Sequence, residues 1–575
     1  MAIFKSFASR YPAQSVVLVL ALLLAGVASS VGLSALLPLL NVAFESEGPR
    51  GELEQAVVDL LGGLGMAPTL GVLLCIIVAA VFLKSIMVLF AETRIGFIAA
   101  DVSTELRMRL LRGILRSRWT WFAGQSPGRL ANAMSTEAYR ASLAYVMGVR
   151  VVALSIESAV YAFFALAVSA KATALALVAG SVVLLVSRRL VRMGRDGGVL
   201  QTRWYRQLLA SLTDTLQSVK SFKAMGREGL ADQVLSEETG QLRGALRREA
   251  LATAALESAQ EPMYAVVIAA GVFIALSFFD VQMATVTFLV LILANLLKQV
   301  GKVQKQYQKM AVFESAYWAL EDAIADAERA AEPGAGTREP TLEQGIDLER
   351  VSFSYGEHDI LKEAEVEIPS GQLTCLVGES GSGKTTITDL VMGLVRPTRG
   401  VVRIDGVDLA EIDLAAWRHR IGYVPQENLL LHASVRRNVT LGDERVPEAE
   451  VERVLRASGA WDFVSALPGG VDTVVGERGT RISGGQRQRI MIARALVGAP
   501  RLLILDEATS ALDPESDRAI AETLRALTGD LTILVVSHHS TLTRLADRVY
   551  RIERGRVGLE TAVAAASARV ASPRD

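Results

Sequence analysis

The residues best suited to chemistry begin in one short stretch. Gly378-Glu379-Ser380-Gly381-Ser382-Gly383-Lys384-Thr385 follows the apolar run Leu373–Val377 and opens a helical pattern at Thr385. Glycines at this spacing let backbone N–H groups wrap phosphate oxygens, and a helix N-terminus adds its positive dipole end. Lys384 then meets the β- and γ-phosphates as a point charge, and the Thr385 hydroxyl is a ligand for Mg²⁺. Gly378, Ser380, Gly381, Gly383 and Thr386 complete the candidate nucleotide-binding set. A second run, Leu502-Leu503-Ile504-Leu505-Asp506-Glu507, is four apolar residues ending in two acids. On a buried strand, Asp506 would hold the Mg²⁺ shell and Glu507 would polarise an attacking water. The two runs together imply ATP and Mg²⁺ as cofactors.

Strands must position both runs, and the sequence supplies them. From Ile346 onward, short β-rich runs such as Leu373–Val377, Leu502–Leu505 and Thr532–Val536 alternate with helical stretches. That alternation predicts an α/β domain with a largely parallel sheet. Just upstream, Ala330–Gly345 carries Pro333, Gly334, Gly336 and Pro340 among charged residues, the composition of a flexible boundary.

The remaining half of the chain is of another kind. Of 575 residues, 51% are hydrophobic, more than an ordinary core requires. Lys and Arg number 60 against 61 Asp and Glu, a net charge of −1, which disfavours nucleic-acid binding through bulk positive charge. Cys75 and Cys375, the two cysteines, lie far apart, which excludes a disulfide scaffold and a Cys-based zinc site. Six apolar stretches have membrane character: Ser15–Leu40, Leu70–Leu89, Val151–Leu166, Ala172–Val186, Met263–Phe279 and Val281–Leu297. Met1–Gln14, with Lys5, Arg10, Phe4, Phe7 and Tyr11, reads as an amphipathic helix at the membrane surface. Glu45, Glu47, Glu52, Glu54 and Asp59 crowd the loop after the first span, whereas arginines crowd the loops after the second and fourth. Positive loops stay inside, so both termini and two long excursions are expected in the cytoplasm.

Both excursions keep helical periodicity, over Asp101–Ile114 and Leu230–Ala255, and read as membrane helices continuing beyond the bilayer. Each is expected to break at an aromatic tip. One tip is Trp119–Phe122 before Gly124 and Pro127; the other is Gly197–Gly198 followed by Trp204 and Tyr205. Phe122, Trp204 and Tyr205 are therefore candidate docking knobs for another domain. The expected division is 1–14, a surface helix; 15–325, a six-helix transmembrane domain; 326–345, a linker; 346–560, a nucleotide-binding α/β domain; and 561–575, a tail.

Ile482-Ser483-Gly484-Gly485-Gln486, between the two phosphate-site runs, resembles the signature motif of the ATP-binding-cassette family, with Ile where Leu is commoner. Tyr355 resembles the residue that stacks on adenine in that family. Gln426, in Tyr423-Val424-Pro425-Gln426, resembles its Mg²⁺-sensing loop, and His538 its γ-phosphate switch. Ser510-Ala511-Leu512-Asp513 is similar to the loop at the cassette dimer interface, and Val475-Gly476-Glu477-Arg478-Gly479 to a motif of exporters. The whole layout resembles an exporter-type half-transporter: an α-helical transmembrane domain fused to an α/β P-loop ATPase cassette. The resemblance implies pairing with a second copy. Ser483, Gly485 and Gln486 of one chain would then cap the nucleotide held by the other chain's Lys384. It also implies that the tips are coupling helices, and a place in the bacterial cytoplasmic membrane with the cassette inside.

Lys84, Glu157 and Asn295 fall inside the apolar stretches. Intramembrane ions are costly and face a wet cavity or one another. Lys84 and Glu157 thus either read a charged cargo or form a structural pair; both readings stand. Sparse aromatics suit an amphipathic, lipid or peptide cargo. ATP-gated channel activity and import on the same scaffold are the competing functions.

Overall fold

The computed structural model describes residues 12–36 and 69–560, except 169, 279–282, 333, 335, 357, 427–428, 477–478, 480, 508–513 and 538–539, together with single residues at 39, 55 and 63. Residues 1–11 of the surface helix expected over Met1–Gln14, His538, Ser510–Asp513, Glu477–Arg478 and the tail lie outside the described residues, and Pro12–Gln14 belong to the first long helix. The chain divides into two compact units. One holds residues up to Ser117 and Gly124–Ala331, the other Arg118–Ala123 and everything from Glu332.

The first unit is helical. Its long elements are α1 (Pro12–Ser34), α2 (Leu70–Arg116), α5 (Ala138–Val168), α6 (Ala170–Gln217), α8 (Glu228–Phe278) and α9 (Met283–Arg329). Short α4 (Pro127–Asn132) and α7 (Val219–Ala224) intervene, and α3 (Trp119–Ala123) groups with the other unit. At 1.5 Å per residue, the 47 residues of α2 reach about 70 Å, more than twice a hydrocarbon core. The apolar halves carry large bare side chains, Phe82 at 66% and Phe163 at 70% exposed. Such faces suit lipid rather than water.

The second expected tip is not where the sequence suggested. Helix α6 runs without interruption through Gly197, Gly198, Trp204 and Tyr205 to Gln217. These glycines serve packing: a Cβ at Gly198 would lie 2.4 Å from the Val312 carbonyl oxygen of α9. The chain turns later, at Ser218 and at Met225–Gly226, around α7 with Phe222 between Lys220 and Lys223. Trp204 and Tyr205 therefore sit on a helix flank, and Arg203 lies 5.7 Å over the Trp204 ring.

Beside them lies a buried ionic cluster. A π-helical turn, Ala133–Glu137, ends on Glu137, whose side chain is 3% exposed. Arg206 Nε donates to Glu137 Oε1 at 2.5 Å and Asn132 Nδ2 donates to the same oxygen at 3.1 Å. Arg140 donates to Gln201 Oε1 at 2.6 Å and Thr202 Oγ1 at 3.2 Å.

The second unit is α/β. An antiparallel sheet has the order β2-β1-β4-β5, from β1 (Gly345–Tyr355), β2 (His358–Pro369), β4 (Arg399–Ile404) and β5 (Val407–Asp408). The larger sheet has the order β10-β9-β3-β8-β7-β6. Its strands are β3 (Leu373–Gly378), β6 (Ile421–Val424), β7 (Leu502–Asp506), β8 (Thr532–Val536), β9 (Arg548–Glu553) and β10 (Arg556–Glu560). All its pairings are parallel except β9 with β10. Alternate residues of the central strands enter separate cores: Leu503 and Leu505 pack on one side, Leu502 and Ile504 on the other. Both faces are covered, as a parallel sheet requires. Helices α10 (Lys384–Val391), α11 (Leu414–His419) and α12 (Gly484–Leu496) carry the functional motifs.

Candidate functional site

Strand β3 delivers Gly378 and β7 delivers Asp506, with β8 between them, so the motifs converge at the carboxyl ends of parallel strands. That edge is where open α/β sheets bind ligands. The phosphate loop returns into α10 through Gly383, which has φ 111; a Cβ there would lie 2.8 Å from Leu361. Only glycine combines that backbone with that approach.

Lys384 is 4% exposed. Its Nζ donates to the carbonyl oxygens of Gly378 and Glu379, both at 2.9 Å, and stands 3.5 Å from Glu507 Oε1. Thr385 Oγ1 donates to Asp506 Oδ1 at 3.4 Å. Gln426, beyond β6, donates from Nε2 to Glu507 Oε2 at 2.9 Å. Glu507 itself has φ 47, and its N–H donates to the Val536 carbonyl at 3.0 Å. A non-glycine residue held at positive φ carries about 1–3 kcal/mol of strain, and such residues gather at active sites.

The charges here suit a cation. Burial raises Asp506, and the neighbouring Glu507 charge adds to this against the Thr385 hydrogen bond and Lys384. Burial, then the Asp506 charge, pushes Asp389 up to about 6. Burial and the same two acids push Tyr423 up to about 12. Three acids beside one lysine, together with a buried Ser382 Oγ that has no partner among the described residues, fit MgATP. Among the described residues no group of three His, Cys, Asp or Glu forms a metal cluster. Mg²⁺ needs none, since nucleotide phosphates and water supply most of its ligands. Thr385 and Asp506 would hold it, and it would draw charge from the phosphate oxygens when bound. Lys384 would bind phosphate, Gln426 would orient Glu507, and Glu507 would take a proton from water at its carboxylate.

Ser483 caps α12. Gln486 N donates to Ser483 Oγ at 3.3 Å and Ser483 N donates to Gln486 Oε1 at 3.0 Å, a reciprocal capping box. The box fixes the Gly484–Gly485 start of a 13-residue helix, whose N-terminus favours anions. Tyr355 ends β1 with its ring edge-on to Phe353, 4.8 Å between centroids. Tyr355 also lines a cavity of about 350 Å³ with Arg118, Thr120 and Glu332. Trp119 and Phe122 of α3 stack on each other at 5.6 Å.

In the helical unit, Lys84 Nζ lies 3.0 Å from Glu157 Oε1 and donates to Ser29 Oγ at 2.9 Å. Ser29 Oγ in turn meets the Tyr161 hydroxyl, which packs beside Leu296. Asn295 Nδ2 donates back to the Leu291 carbonyl at 3.0 Å, and among the described residues no contact joins it to the cluster. Arg150 pairs with Glu92. Ser29, Tyr161 and Phe222 escaped the sequence reading. The i, i+4 spacing of Glu157 and Tyr161 and the Met225–Gly226 turn were the available signals.

Family models match both halves: an ABC transporter model over residues 361–510 and an ABC transporter transmembrane region over 15–300. An ATP-dependent lipid A-core flippase from Albidiferax ferrireducens is 30% identical over 496 residues, 84% of each chain. The chain belongs to the ABC transporter family. Within it, the cyclolysin secretion/processing ATP-binding protein of Bordetella pertussis is 44% identical over 220 residues, 38% of this chain and 31% of that one. The chain thus spans about a third of that relative's length. In fold, this ABC transporter matches the structure of a bacterial Atm1-family ABC exporter with ATP bound, at TM-score 0.79 and 21% identity, covering 98% and 99% of the two chains.

Proposed function

We propose that this ABC transporter is an exporter or flippase half that hydrolyses ATP to move an amphipathic substrate outward across the cytoplasmic membrane. The observation that supports the reading is the meeting of Lys384, Thr385, Asp506, Gln426 and Glu507 at one strand edge. Two chains work together, and every ATP-site motif read from the sequence is intact, which favours two copies of the same chain. Ser483 and Gly485 of each chain close on the γ-phosphate at the other's Lys384. ATP then joins the cassettes, and hydrolysis releases them. Closure drives an inward-to-outward change in the helices, with α3 and α7 as the coupling tips. His538 completes the γ-phosphate contacts.

Lipid is the favoured cargo class, because the Albidiferax relative is an ATP-dependent lipid A-core flippase and its match spans 84% of each chain. The test is reconstitution into proteoliposomes with a panel of labelled lipids, peptides and amphipathic drugs. ATP-dependent movement against a gradient, abolished by Lys384→Ala, is expected for one class. Movement that only follows the gradient once ATP is bound would instead mean a gated channel.

A further inference from the structure

Glu332 is the first residue of the cassette unit after Ala331. Both its carboxylate oxygens accept from Arg418: Nη1 donates to Oε2 and Nη2 to Oε1, each at 2.9 Å. The same guanidinium reaches the far end of α10, where Nε donates to the Met392 carbonyl at 3.2 Å and Nη2 to the Gly393 carbonyl at 2.7 Å. Beside it, the buried Trp417 indole donates to the Val391 carbonyl at 2.9 Å. Three consecutive carbonyls that the helix cannot satisfy internally are thus held by two neighbouring residues of α11, at the end where a cation is favoured. The planar guanidinium fork serves carboxylate and carbonyls together, which an ammonium cannot match.

The other end of α10 is the nucleotide site, with Lys384 and Thr385 in its first turn. All eight residues but Thr385 are buried, so the helix is packed as one rigid piece between the phosphate site at its N-terminus and the Arg418–Glu332 pair beyond its C-terminus. Ser117 and Ala331 form an antiparallel bridge immediately before Arg118 and Glu332. Arg118 and Glu332 then line the same cavity as the aromatic Tyr355.

We infer that Glu332 and Arg418 are positioning residues forming a latch, through which displacement of α10 on nucleotide binding is passed to α9 in the same chain. The latch rests on the exporter reading and adds to it a route that does not run through the coupling tips.

The test uses the full chain in lipid nanodiscs, with Cys75→Ala, Cys375→Ala and a reporter Leu70→Cys at the start of α2. An impermeant maleimide reads the reporter without nucleotide and after trapping with MgATP and vanadate. The parent should change its labelling rate about fivefold or more on trapping. Glu332→Gln should trap nucleotide within about twofold of the parent while its labelling change falls below about twofold; Glu332→Asp, which keeps the charge, should retain the response. Arg418→Lys serves as the second variant should Glu332→Gln prove poorly folded, with the same expected split. A full labelling response in either neutralised or fork-less variant, whatever its melting temperature, overturns the latch. So does a tenfold loss of trapping in Glu332→Gln, which would place that residue in nucleotide binding. A parent that shows no nucleotide-dependent change sinks the exporter reading and the latch with it.

Discussion

Gln426 holds Glu507: the amide Nε2 donates to the carboxylate Oε2 at 2.9 Å, joining the loop after β6 to the residue after β7. The other oxygen of Glu507 faces Lys384 at 3.5 Å. The carboxylate is therefore oriented from two sides, and its backbone is kept at φ 47 by the N–H bond to Val536. Orientation of this kind suits a base that must meet one water rather than bulk solvent.

Glu507→Gln is expected to bind MgATP with near-normal affinity and to hydrolyse it about 10²–10⁴ times more slowly. ATPase turnover at saturating ATP, read beside equilibrium binding of labelled ATP, checks this. Near wild-type turnover would remove Glu507 from the role of base.

The coupling tip of the second excursion is expected at Phe222 and not at Trp204. Phe222→Ala should leave ATP binding within about twofold and weaken the link between ATPase activity and transport, because truncating an aromatic hot spot of a docking interface costs about 2 kcal/mol or more. Trp204→Ala should chiefly lower stability, through the lost Arg203 stacking. Transport per ATP hydrolysed, measured for both variants, separates them. Uncoupling by Trp204→Ala with normal Phe222→Ala behaviour would reinstate the earlier expectation.

The cassette was legible in the sequence because its chemistry is local. Phosphate loop, acid pair and signature serine each sit within a few residues, and strand alternation fixes their edge of the sheet. Gly197–Gly198 was misleading because glycine in a helix marks either a break or a close crossing, and only the partner helix decides which. The approach of Val312 to Gly198 is a contact between residues more than a hundred positions apart. The Glu332–Arg418 latch is likewise invisible in sequence, since its two charges look like ordinary surface residues until the fold sets them beside the end of α10.

Asp389 should make stability depend on pH. Its carboxyl is pushed from 3.8 up to about 6, first by burial and then by the Asp506 charge. The fold prefers the neutral acid, so this contribution is fully present below pH 3.8 and is lost as pH rises through about 6. Two units correspond to roughly 3 kcal/mol as an upper bound. Asp389→Asn should therefore stabilise the nucleotide-free protein more at pH 7.5 than at pH 4.5. Melting temperatures of both proteins at both pH values decide it; an equal shift at the two pH values would mean that Asp389 is ionised throughout.

Lys84 and Glu157 test whether the membrane half reads cargo. Their side chains are 32% and 15% exposed, and the pair is extended by Ser29 and Tyr161. A lone ion at a helix centre costs at least about 2.5–3.5 kcal/mol, so the contact itself needs no cargo to explain it. A purely structural pair predicts that Lys84→Met alone destabilises, by about 3–5 kcal/mol at full burial and less at this exposure, because Glu157 is left without its partner. Adding Glu157→Gln should then restore most of that loss and preserve transport. A cargo-reading pair predicts instead a double variant that is well folded yet no longer stimulated by substrate. Melting temperature and substrate-stimulated ATPase activity, measured for both single variants and the double, separate the two. The geometry favours the structural outcome, since Glu157 and Ser29 already take up two of the three Lys84 donors. Strictly additive effects in both assays would count against either version, because residues in contact within one hydrogen-bonded cluster should show a coupling energy of about 0.5–3 kcal/mol.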